Sequence, residues 1–299
     1  MPTLILRADA NSSIGAGHAM RLATLGAAWR ASGGTVQGVG TLDLEFVIAR
    51  YREAGIALSD RPSGGDAIMV VDSYDPEVRF GALRVAGAVL RVLVDDLGGT
   101  VPNGYDAVWN PSPYGEAGLY PGFTGPLLSG PEHLAVREGL PRWVGPSDEV
   151  LVSLGGSEPS AQIKAAFDQL AALASDTRFA ITGPWGPAGW RRIAPGRLWA
   201  EVARAKALVM AAGSTVWEAA AVGIPVVLLE TAANQRLNYR WARDAGVPGL
   251  KTSLVDGEFL AHQLRALIPA ARPLPRVTGG AGQVVAALAQ LAGQRMAAR

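Results

Sequence analysis

Residues 3–18, TLILRADANSSIGAGH, decide the fold that we predict for this chain. The run Thr3–Leu6 is short and apolar, which is typical of a buried strand. Small and polar residues and two glycines then mark a turn, and Leu22, Leu25 and Trp29 follow at helical spacing. The stretch therefore predicts a strand, a glycine-containing turn and a helix, in that order.

This turn is the first candidate site. Where a strand gives way to a helix, free backbone N–H groups and the positive end of the helix meet at one point. His18 lies there, directly after Gly15 and Gly17, which we expect to contact a ligand. The helix end disfavours an imidazolium, so a neutral His18 suits the role of a general base near pH 7. The alternative is that His18 only bonds a backbone carbonyl.

Composition limits the possible functions. The 299 residues suffice for two domains, and 49% of them are hydrophobic against 18% charged. The net charge of +1 gives no argument for nucleic acid or an acidic membrane surface as a partner. The sequence has no cysteine and three histidines, which excludes zinc–thiolate sites and argues against a histidine-rich metal site. Neither a secretory signal nor a membrane span is visible, so we expect a soluble, cytoplasmic protein.

The first half of the chain alternates strand-like and helix-like segments. Apolar strands between helices indicate an α/β fold with a parallel sheet that is covered on both faces. Ligands bind such sheets beyond the carboxyl ends of the strands. The strands are predicted at residues 3–6, 35–39, 67–71, 89–94 and 106–109, and the helices at residues 46–53 and 78–85. The polar residues that follow these strand ends are His18, Asp72, Tyr74, Asp95 and Asn110.

The second half repeats the pattern after a proline-rich linker at residues 141–146. We expect an N-terminal Rossmann-like domain at residues 1–143, a second one at 147–275, and a C-terminal helix within 276–299 that packs back on the first domain. The predicted second-half strands are residues 150–154, 179–182, 207–211 and 225–229, and the helices are residues 160–174, 202–206, 213–222, 234–245 and 281–296.

Three strand–turn–helix junctions of the second domain carry small residues. Such junctions offer backbone N–H groups to phosphate, although any one of them alone could be an ordinary tight turn. Glu218, one turn into the second helix, can accept both hydroxyls of a ribose. The sequence has no Walker-type lysine, so phosphate binding would depend on helix ends. The three junctions are Gly155-Gly156-Ser157, Gly213-Ser214-Thr215 and Ala233-Asn234-Gln235.

Over residues 3–245 the chain resembles the nucleotide-sugar hydrolases of pseudaminic acid biosynthesis. These enzymes release UDP from UDP-2,4-diacetamido-2,4,6-trideoxy-β-L-altropyranose and are similar to GT-B glycosyltransferases, in which two Rossmann-like domains face a cleft. The resemblance is carried by residues 7–21, 71–74, 94–96, 127–131, 137–138, 154–156, 212–218 and 234–235. It departs from the family at Ser157-Glu158-Pro159, at residues 110–115 and at Ser73.

The resemblance implies a role for each matching position. His18 corresponds to the histidine that contacts the attacking water, and Tyr74 to a tyrosine of the sugar pocket. Glu218 and the turn before it match the UDP-binding helix, while Asn234 and Gln235 match a pair near the diphosphate and the sugar. Asp9 either contacts the sugar or caps the first helical turn. We expect structural or sugar-hydroxyl roles for Asp95 and Asp96 in preference to metal binding. The predicted substrate-binding residues are Asp9, Gly15, Gly17, Asp72, Tyr74, Gly155, Gly156, Gly213, Ser214, Thr215, Glu218, Asn234 and Gln235.

The expected activity is therefore hydrolysis of a UDP-sugar, with no metal and no cofactor. Water would attack the anomeric carbon with His18 as base, on the face opposite UDP, which inverts the configuration. The alternatives are an inverting GT-B glycosyltransferase, in which an acceptor hydroxyl replaces water, and a non-catalytic nucleotide-sugar sensor. The sugar and the oligomeric state stay open at this point.

Overall fold

The computed structural model describes residues 1–63, 65–156, 158–183, 185–277 and 279–299, and Ser157 of the predicted glycine turn lies outside them. The chain divides into two compact units. Unit 1 comprises Met1–Glu138 and Thr278–Arg299, and unit 2 comprises Gly139–Val277.

Unit 1 is built on a sheet of seven parallel strands in the order β3-β2-β1-β4-β5-β6-β7. The strands are β1 (Thr3–Arg7), β2 (Val36–Val39), β3 (Ala57–Ser59), β4 (Ala67–Asp72), β5 (Ala88–Val94), β6 (Ala107–Trp109) and β7 (Leu127–Leu128). Its helices are α1 (Gly17–Ala31), α2 (Glu45–Glu53), α3 (Pro76–Ala82) and, at the end of the chain, α9 (Ala281–Ala297).

The side chains of this sheet alternate between two cores, as the pleat of a strand requires. Leu6 of β1 and Val70 of β4 face the core that contains Leu22 of α1 and Leu288 of α9. Their neighbours in sequence, such as Val71, face the opposite core, to which Ala82 of α3 belongs. Both faces of the sheet are therefore covered, which explains why its strands are apolar without interruption.

Unit 2 repeats this architecture with six parallel strands in the order β10-β9-β8-β11-β12-β13. They are β8 (Glu149–Ser153), β9 (Arg178–Thr182), β10 (Arg191–Ile193), β11 (Ala207–Ala211), β12 (Pro225–Glu230) and β13 (Gly249–Lys251), and the two-residue β14 (Arg272–Pro273) pairs antiparallel with β12. The helices are α4 (Ala161–Leu173), α5 (Leu198–Val202), α6 (Val216–Val222), α7 (Arg236–Asp244) and α8 (Gly257–Leu267).

The structure differs from the predicted elements in a few short segments. The helix predicted at residues 202–206 lies instead at Leu198–Val202, because Lys206 already donates its N–H to the carbonyl of Glu149 at 2.8 Å as the chain enters β11. Helix α8 was not predicted, although its capping signal is present: the carboxylate of Asp256 accepts a hydrogen bond from the backbone N–H of Phe259 at 2.7 Å. Residues 141–146, predicted as a linker, belong to unit 2, where Trp143 donates its N–H to the carbonyl of Val222.

Candidate active site

The site in unit 1 lies at the carboxyl ends of β1 and β4. After β1 the chain continues through α1 to β2 on one side of the sheet, whereas β4 pairs with β1 on the other side. This change of direction is the point at which open α/β sheets bind ligands. His18, the second residue of α1, and Asp72, the last residue of β4, meet there.

His18 is held by a carboxylate. Its Nδ1 lies 2.5 Å from Oδ1 of Asp72, and the side chain of His18 is 10% exposed while that of Asp72 is fully buried. An ionised carboxylate only accepts hydrogen bonds, so the imidazole donates from Nδ1 and keeps the lone pair of its neutral form on Nε2. The geometry therefore presents Nε2 as the proton acceptor of the site.

Arg21 completes the shell around Asp72. Its Nε donates to Oδ2 of Asp72 and its Nη2 donates to Oδ1 at 2.8 Å, while Nη1 donates to Oδ2 of Asp96 at 2.7 Å. The side chain of Arg21 is only 5% exposed. One guanidinium thus binds two carboxylates at the ends of two adjacent strands, β4 and β5. Its contact with Asp72 has the bidentate geometry that arginine favours.

These charges decide the ionisation of the site. Burial alone raises the pKa of Asp72, but the charges and hydrogen bonds of Arg21 and His18 outweigh it and lower that pKa to about 2. Burial likewise works against the charge of Arg21, whereas the two carboxylates raise its pKa well above the ordinary value. Asp72 is therefore ionised at neutral pH and remains an acceptor for His18.

Tyr74 contacts His18 from the side. The two rings are T-shaped, with centroids 4.6 Å apart and planes at 80°. The Tyr74 hydroxyl donates to Oδ1 of Asp96 at 2.7 Å. Burial, reinforced by the negative charge of Asp96, raises the pKa of Tyr74, so its hydroxyl stays protonated and can serve as this donor.

The turn before α1 is held by hydrogen bonds to the side chain and the carbonyl of Asn11. The side-chain oxygen of Asn11 accepts hydrogen bonds from the N–H groups of Ser13 and Ile14 at 2.9 and 2.8 Å, and Gly15 donates its N–H to the carbonyl of Asn11 at 2.8 Å. Gly15 has φ = 81°, a left-handed conformation that favours glycine. Gly17 is exposed and opens α1.

Asp9 does not cap α1. Its Oδ1 accepts hydrogen bonds from Nη1 of Arg7 at 2.6 Å and from the N–H of Thr41 at 2.8 Å, and the N-cap residue of α1 is Ala16, which makes no side-chain bond. The capping alternative is therefore wrong because Asp9 is tied to the loop after β2. Its predicted contact with a sugar stays a prediction.

The other polar residues at the strand ends support the fold. Asp95 is buried and accepts hydrogen bonds from Arg79 and from the N–H groups of Leu97 and Gly98. Asn110 is fully buried and donates to the hydroxyl of Tyr120. Asp72, expected to contact substrate, has both oxygens engaged by His18 and Arg21, so the structure places it behind His18.

Unit 2 gathers its candidate residues at one edge of its sheet. Gly155 and Gly156 follow β8, the loop at residues 213–215 connects β11 to α6, and residues 233–235 form a 3-10 turn between β12 and α7. Because β8, β11 and β12 are neighbours, the three junctions lie side by side at the carboxyl edge. The described residues of the three predicted turns are thus brought together within unit 2.

Two amides hold these turns. Oε1 of Gln235 accepts hydrogen bonds from the N–H and the hydroxyl of Thr231 at 2.9 and 3.1 Å. Asn238 is buried and donates a hydrogen bond to the carbonyl of Ala212 at 2.9 Å. Ala212 directly precedes the loop at residues 213–215. Glu218 is buried in α6, a helix of seven residues, whereas Asn234 is exposed.

Among the described residues, no group of three or more histidine, cysteine, aspartate or glutamate side chains is arranged to hold a metal ion. In the same described part of the chain, no helix has the length and apolar character needed to cross a membrane.

Arg21 and Asp96 were not recognised from the sequence as a linked pair. The signals were present, because Arg21 lies three residues after His18 and therefore on the same face of α1. In β4, Ile68 and Val70 face α1, and Asp72 follows two residues later on the same side. In β5, Val92 and Val94 face α1, and Asp96 again follows two residues later. Because every second side chain of a strand lies on the same face, both carboxylates are expected on the α1 side of the sheet.

Comparison with known proteins identifies the fold. No protein-family model matches the sequence, and no curated protein does so either. Among solved structures, the chain is similar to MurG from Acinetobacter baumannii with 13% identity and a TM-score of 0.58, covering 97% of this chain and 100% of that one. It is also similar to the glycosyltransferase SnogD from Streptomyces nogalater, with 17% identity and a TM-score of 0.56 over 98% and 99% of the two chains.

A third similar structure is UDP-GlcNAc 2-epimerase from Neisseria meningitidis, bound to UDP-GlcNAc. It shares 9% identity with this chain and has a TM-score of 0.60, covering 98% of this chain and 100% of that one. These matches extend over both units, each of which is an α/β unit with a parallel sheet. The chain therefore has the two Rossmann-like domains of the GT-B glycosyltransferase fold.

Proposed function

We propose that this protein is a nucleotide-sugar hydrolase that releases UDP from a UDP-(di)acetamido-deoxy sugar. The observation that carries the proposal is the pairing of His18 with Asp72 at the point where the strand order of unit 1 changes direction. A histidine that is fixed by a carboxylate at Nδ1 and has a free lone pair on Nε2 can act as a general base. The expected family, the hydrolases of pseudaminic acid biosynthesis, supplies the reaction, and the GT-B fold agrees with it.

The chain's own residues account for the attack on the anomeric carbon. Nε2 of His18 takes a proton from water as the water oxygen bonds to that carbon and the bond to the UDP oxygen breaks. The imidazolium that forms is stabilised by the ionised Asp72. Water enters on the face opposite UDP, so the released sugar has the inverted configuration.

The residues of unit 2 are assigned to UDP. Backbone N–H groups of the loop at residues 213–215 and of the turn at residues 233–235 suit a diphosphate, and their electrostatic stabilisation of the leaving group requires no metal ion. Glu218 is assigned to the ribose hydroxyls. Tyr74, half-buried beside His18, is assigned to the sugar.

The test is release of UDP from a panel of UDP-sugars in buffer with EDTA and without any acceptor. The panel includes UDP-2,4-diacetamido-2,4,6-trideoxy-β-L-altropyranose and UDP-GlcNAc. The wild type releases UDP from at least one of them, and His18→Ala abolishes the release. His262→Ala is the matched control, because His262 is an exposed residue of α8 in unit 2, and it keeps full activity.

The second candidate is an inverting glycosyltransferase, favoured by the similarity to the glycosyltransferase SnogD. The same base would deprotonate an acceptor hydroxyl in place of water. UDP release that strictly requires an added acceptor selects this candidate and rejects the hydrolase. Calorimetric binding of the UDP-sugars without any turnover, with or without acceptors, rejects both and selects a sensor.

A further inference from the structure

We infer that Arg21 is the positioning residue of this site and that it fixes His18 from two sides at once. One side is Asp72, which accepts a hydrogen bond from Nδ1–H of His18. The other is Tyr74, whose ring contacts the His18 ring and whose hydroxyl is bound by Asp96. The inference rests on the proposed function for its kinetic test, and a second test does not need turnover.

The first side is the fork between Arg21 and Asp72. Two nitrogens of one planar guanidinium bind the two oxygens of the carboxylate, with Nη2 donating to Oδ1 at 2.8 Å and Nε to Oδ2. This bidentate contact holds the plane of the carboxylate, so its Oδ1 stays directed at Nδ1 of His18. Without the fork, the carboxylate can rotate and the imidazole loses its fixed tautomer.

The second side runs through Asp96. The third donor of the guanidinium, Nη1, binds Oδ2 of Asp96 at 2.7 Å, and Oδ1 of Asp96 accepts the hydroxyl of Tyr74 at 2.7 Å. The Tyr74 ring then meets the His18 ring at 4.6 Å. The contacts form a closed cycle of five side chains, in which Arg21 is the member that binds both carboxylates.

Only arginine can play this part. Its donors lie in one rigid plane and serve two carboxylates simultaneously, whereas a lysine ammonium is a point charge on a flexible stem. Arg21→Lys thus keeps the positive charge beside Asp72 and Asp96 but loses the fork. This substitution therefore tests whether the geometry of the guanidinium matters beyond its charge. Removal of the whole charged group would change both at once.

The chain contains a matched control. Arg79 is also a mostly buried arginine that binds an aspartate: Nη2 donates to Oδ2 of Asp95 at 2.7 Å, and Nε donates to the carbonyl of Ser73 at 2.5 Å. Asp95 and Asp96 are adjacent, but Arg79 extends from α3, and its side-chain hydrogen bonds among the described residues go to Ser73 and Asp95 and not to His18 or Asp72. Its removal costs a comparable ion pair, and it leaves every side-chain contact of the cycle in place although the carbonyl of Ser73 loses a hydrogen bond.

The kinetic test compares Arg21→Lys, Arg21→Met and Arg79→Met on the UDP-sugar that the wild type hydrolyses. Arg21→Lys lowers kcat by roughly 10- to 100-fold and leaves KM within about threefold, because the base is misplaced and the substrate contacts remain. Arg21→Met lowers kcat further, whereas Arg79→Met keeps kcat within about threefold of the wild type even if its melting temperature is lower. The inference is overturned if Arg21→Lys retains wild-type kcat, or if both Met variants lose the same fraction of it.

The second test measures the His18 tautomer by nitrogen-15 NMR of the imidazole at a pH where it is neutral. The wild type carries the proton on Nδ1, and Arg21→Met shows a mixture of the two tautomers, while His133 and His262 serve as internal references. An unchanged His18 spectrum in Arg21→Met overturns the inference. Because the spectrum is independent of turnover, an inactive protein refutes the proposed function without deciding this one.

Discussion

Nδ1 of His18 and Oδ1 of Asp72 lie 2.5 Å apart, although the two residues are 54 positions apart in the sequence. The contact joins the first turn of α1 to the last residue of β4 at the place where the sheet of unit 1 changes direction. The fold therefore brings together two residues that are ordinary on their own, and this pair is the general base that we propose.

Asp72→Asn tests whether the carboxylate sets the tautomer of His18. Arg21 will hold the amide oxygen of the new side chain and turn its NH2 group towards Nδ1, which must then accept a hydrogen bond. The proton moves to Nε2, and the base is lost. We expect kcat to fall roughly 100- to 10,000-fold, with the protein folded, in a steady-state assay of UDP release.

The control for this substitution is Asp95→Asn. Asp95 is a buried aspartate that pairs with Arg79 and not with His18, and we expect kcat to stay within about threefold of the wild type. Equal losses in the two variants would mean that Asp72 acts through general stability and not through His18.

Stability in acid should depend on Asp72. Folding lowers its pKa from 3.8 to about 2, because the charges of Arg21 and His18 outweigh the effect of burial. A lowered pKa stabilises the folded state fully above 3.8, and the contribution is lost as the pH falls through about 2. The difference corresponds to about 2 kcal/mol in the free energy of unfolding.

Urea unfolding at pH 6 and at pH 2 measures this contribution of Asp72 to the free energy of unfolding. The wild type should lose about 2 kcal/mol more than Asp72→Asn over that interval, since the asparagine does not titrate. Parallel pH dependences of the two proteins would show that the ion pair does not carry the stabilisation.

Gly15 is required by the backbone of the turn that precedes His18. At φ = 81° an alanine costs about 1 to 2 kcal/mol, so Gly15→Ala should lower the free energy of unfolding by that amount. Gly17 has no positive φ and begins α1, so Gly17→Ala should leave stability unchanged or raise it by up to about 1 kcal/mol. Equal effects of the two substitutions in urea unfolding would contradict this reading of the turn.

UDP binding should depend on unit 2 and not on His18. In Gln235→Ala the turn at residues 233–235 loses both hydrogen bonds from Thr231, and we expect the Kd of UDP to rise roughly 5- to 10-fold, about 1 kcal/mol. His18→Ala should leave that Kd within about twofold. Isothermal titration calorimetry with UDP measures both, and a larger loss in His18→Ala than in Gln235→Ala would refute the assignment of UDP to unit 2.

The fold could be predicted well because its signals are local and repeated. Short apolar runs between helical segments indicate parallel sheets, and the glycine turns mark where each strand meets its helix. Five short strands were not predicted: β3, β7, β10, β13 and β14. Each has only two or three residues, and runs of that length are too short to show a reliable strand period. The central strands, which position both candidate sites, were the ones that the sequence indicated most clearly.

The partners within the site could not be predicted to the same degree, because each contact joins distant parts of the chain. Asp95 and Asp96 illustrate the difficulty: the adjacent side chains lie on opposite faces of the sheet, one bound to Arg79 of α3 and the other to Arg21 of α1. The alternation of β5 contains this information, since Val92 and Val94 face the α1 core and Leu93 faces the other. Which of the neighbouring groups each carboxylate binds follows only from the packed structure.

In the reaction that we propose, water activated by His18 attacks the anomeric carbon of a UDP-sugar. Turnover in water enriched in oxygen-18, followed by mass spectrometry of both products and proton NMR of the newly released sugar, tests it most directly. We expect label in the sugar, none in UDP, and an inverted anomeric configuration, all lost in His18→Ala. Label in UDP, a retained configuration, or release of UDP only after addition of an acceptor would contradict it.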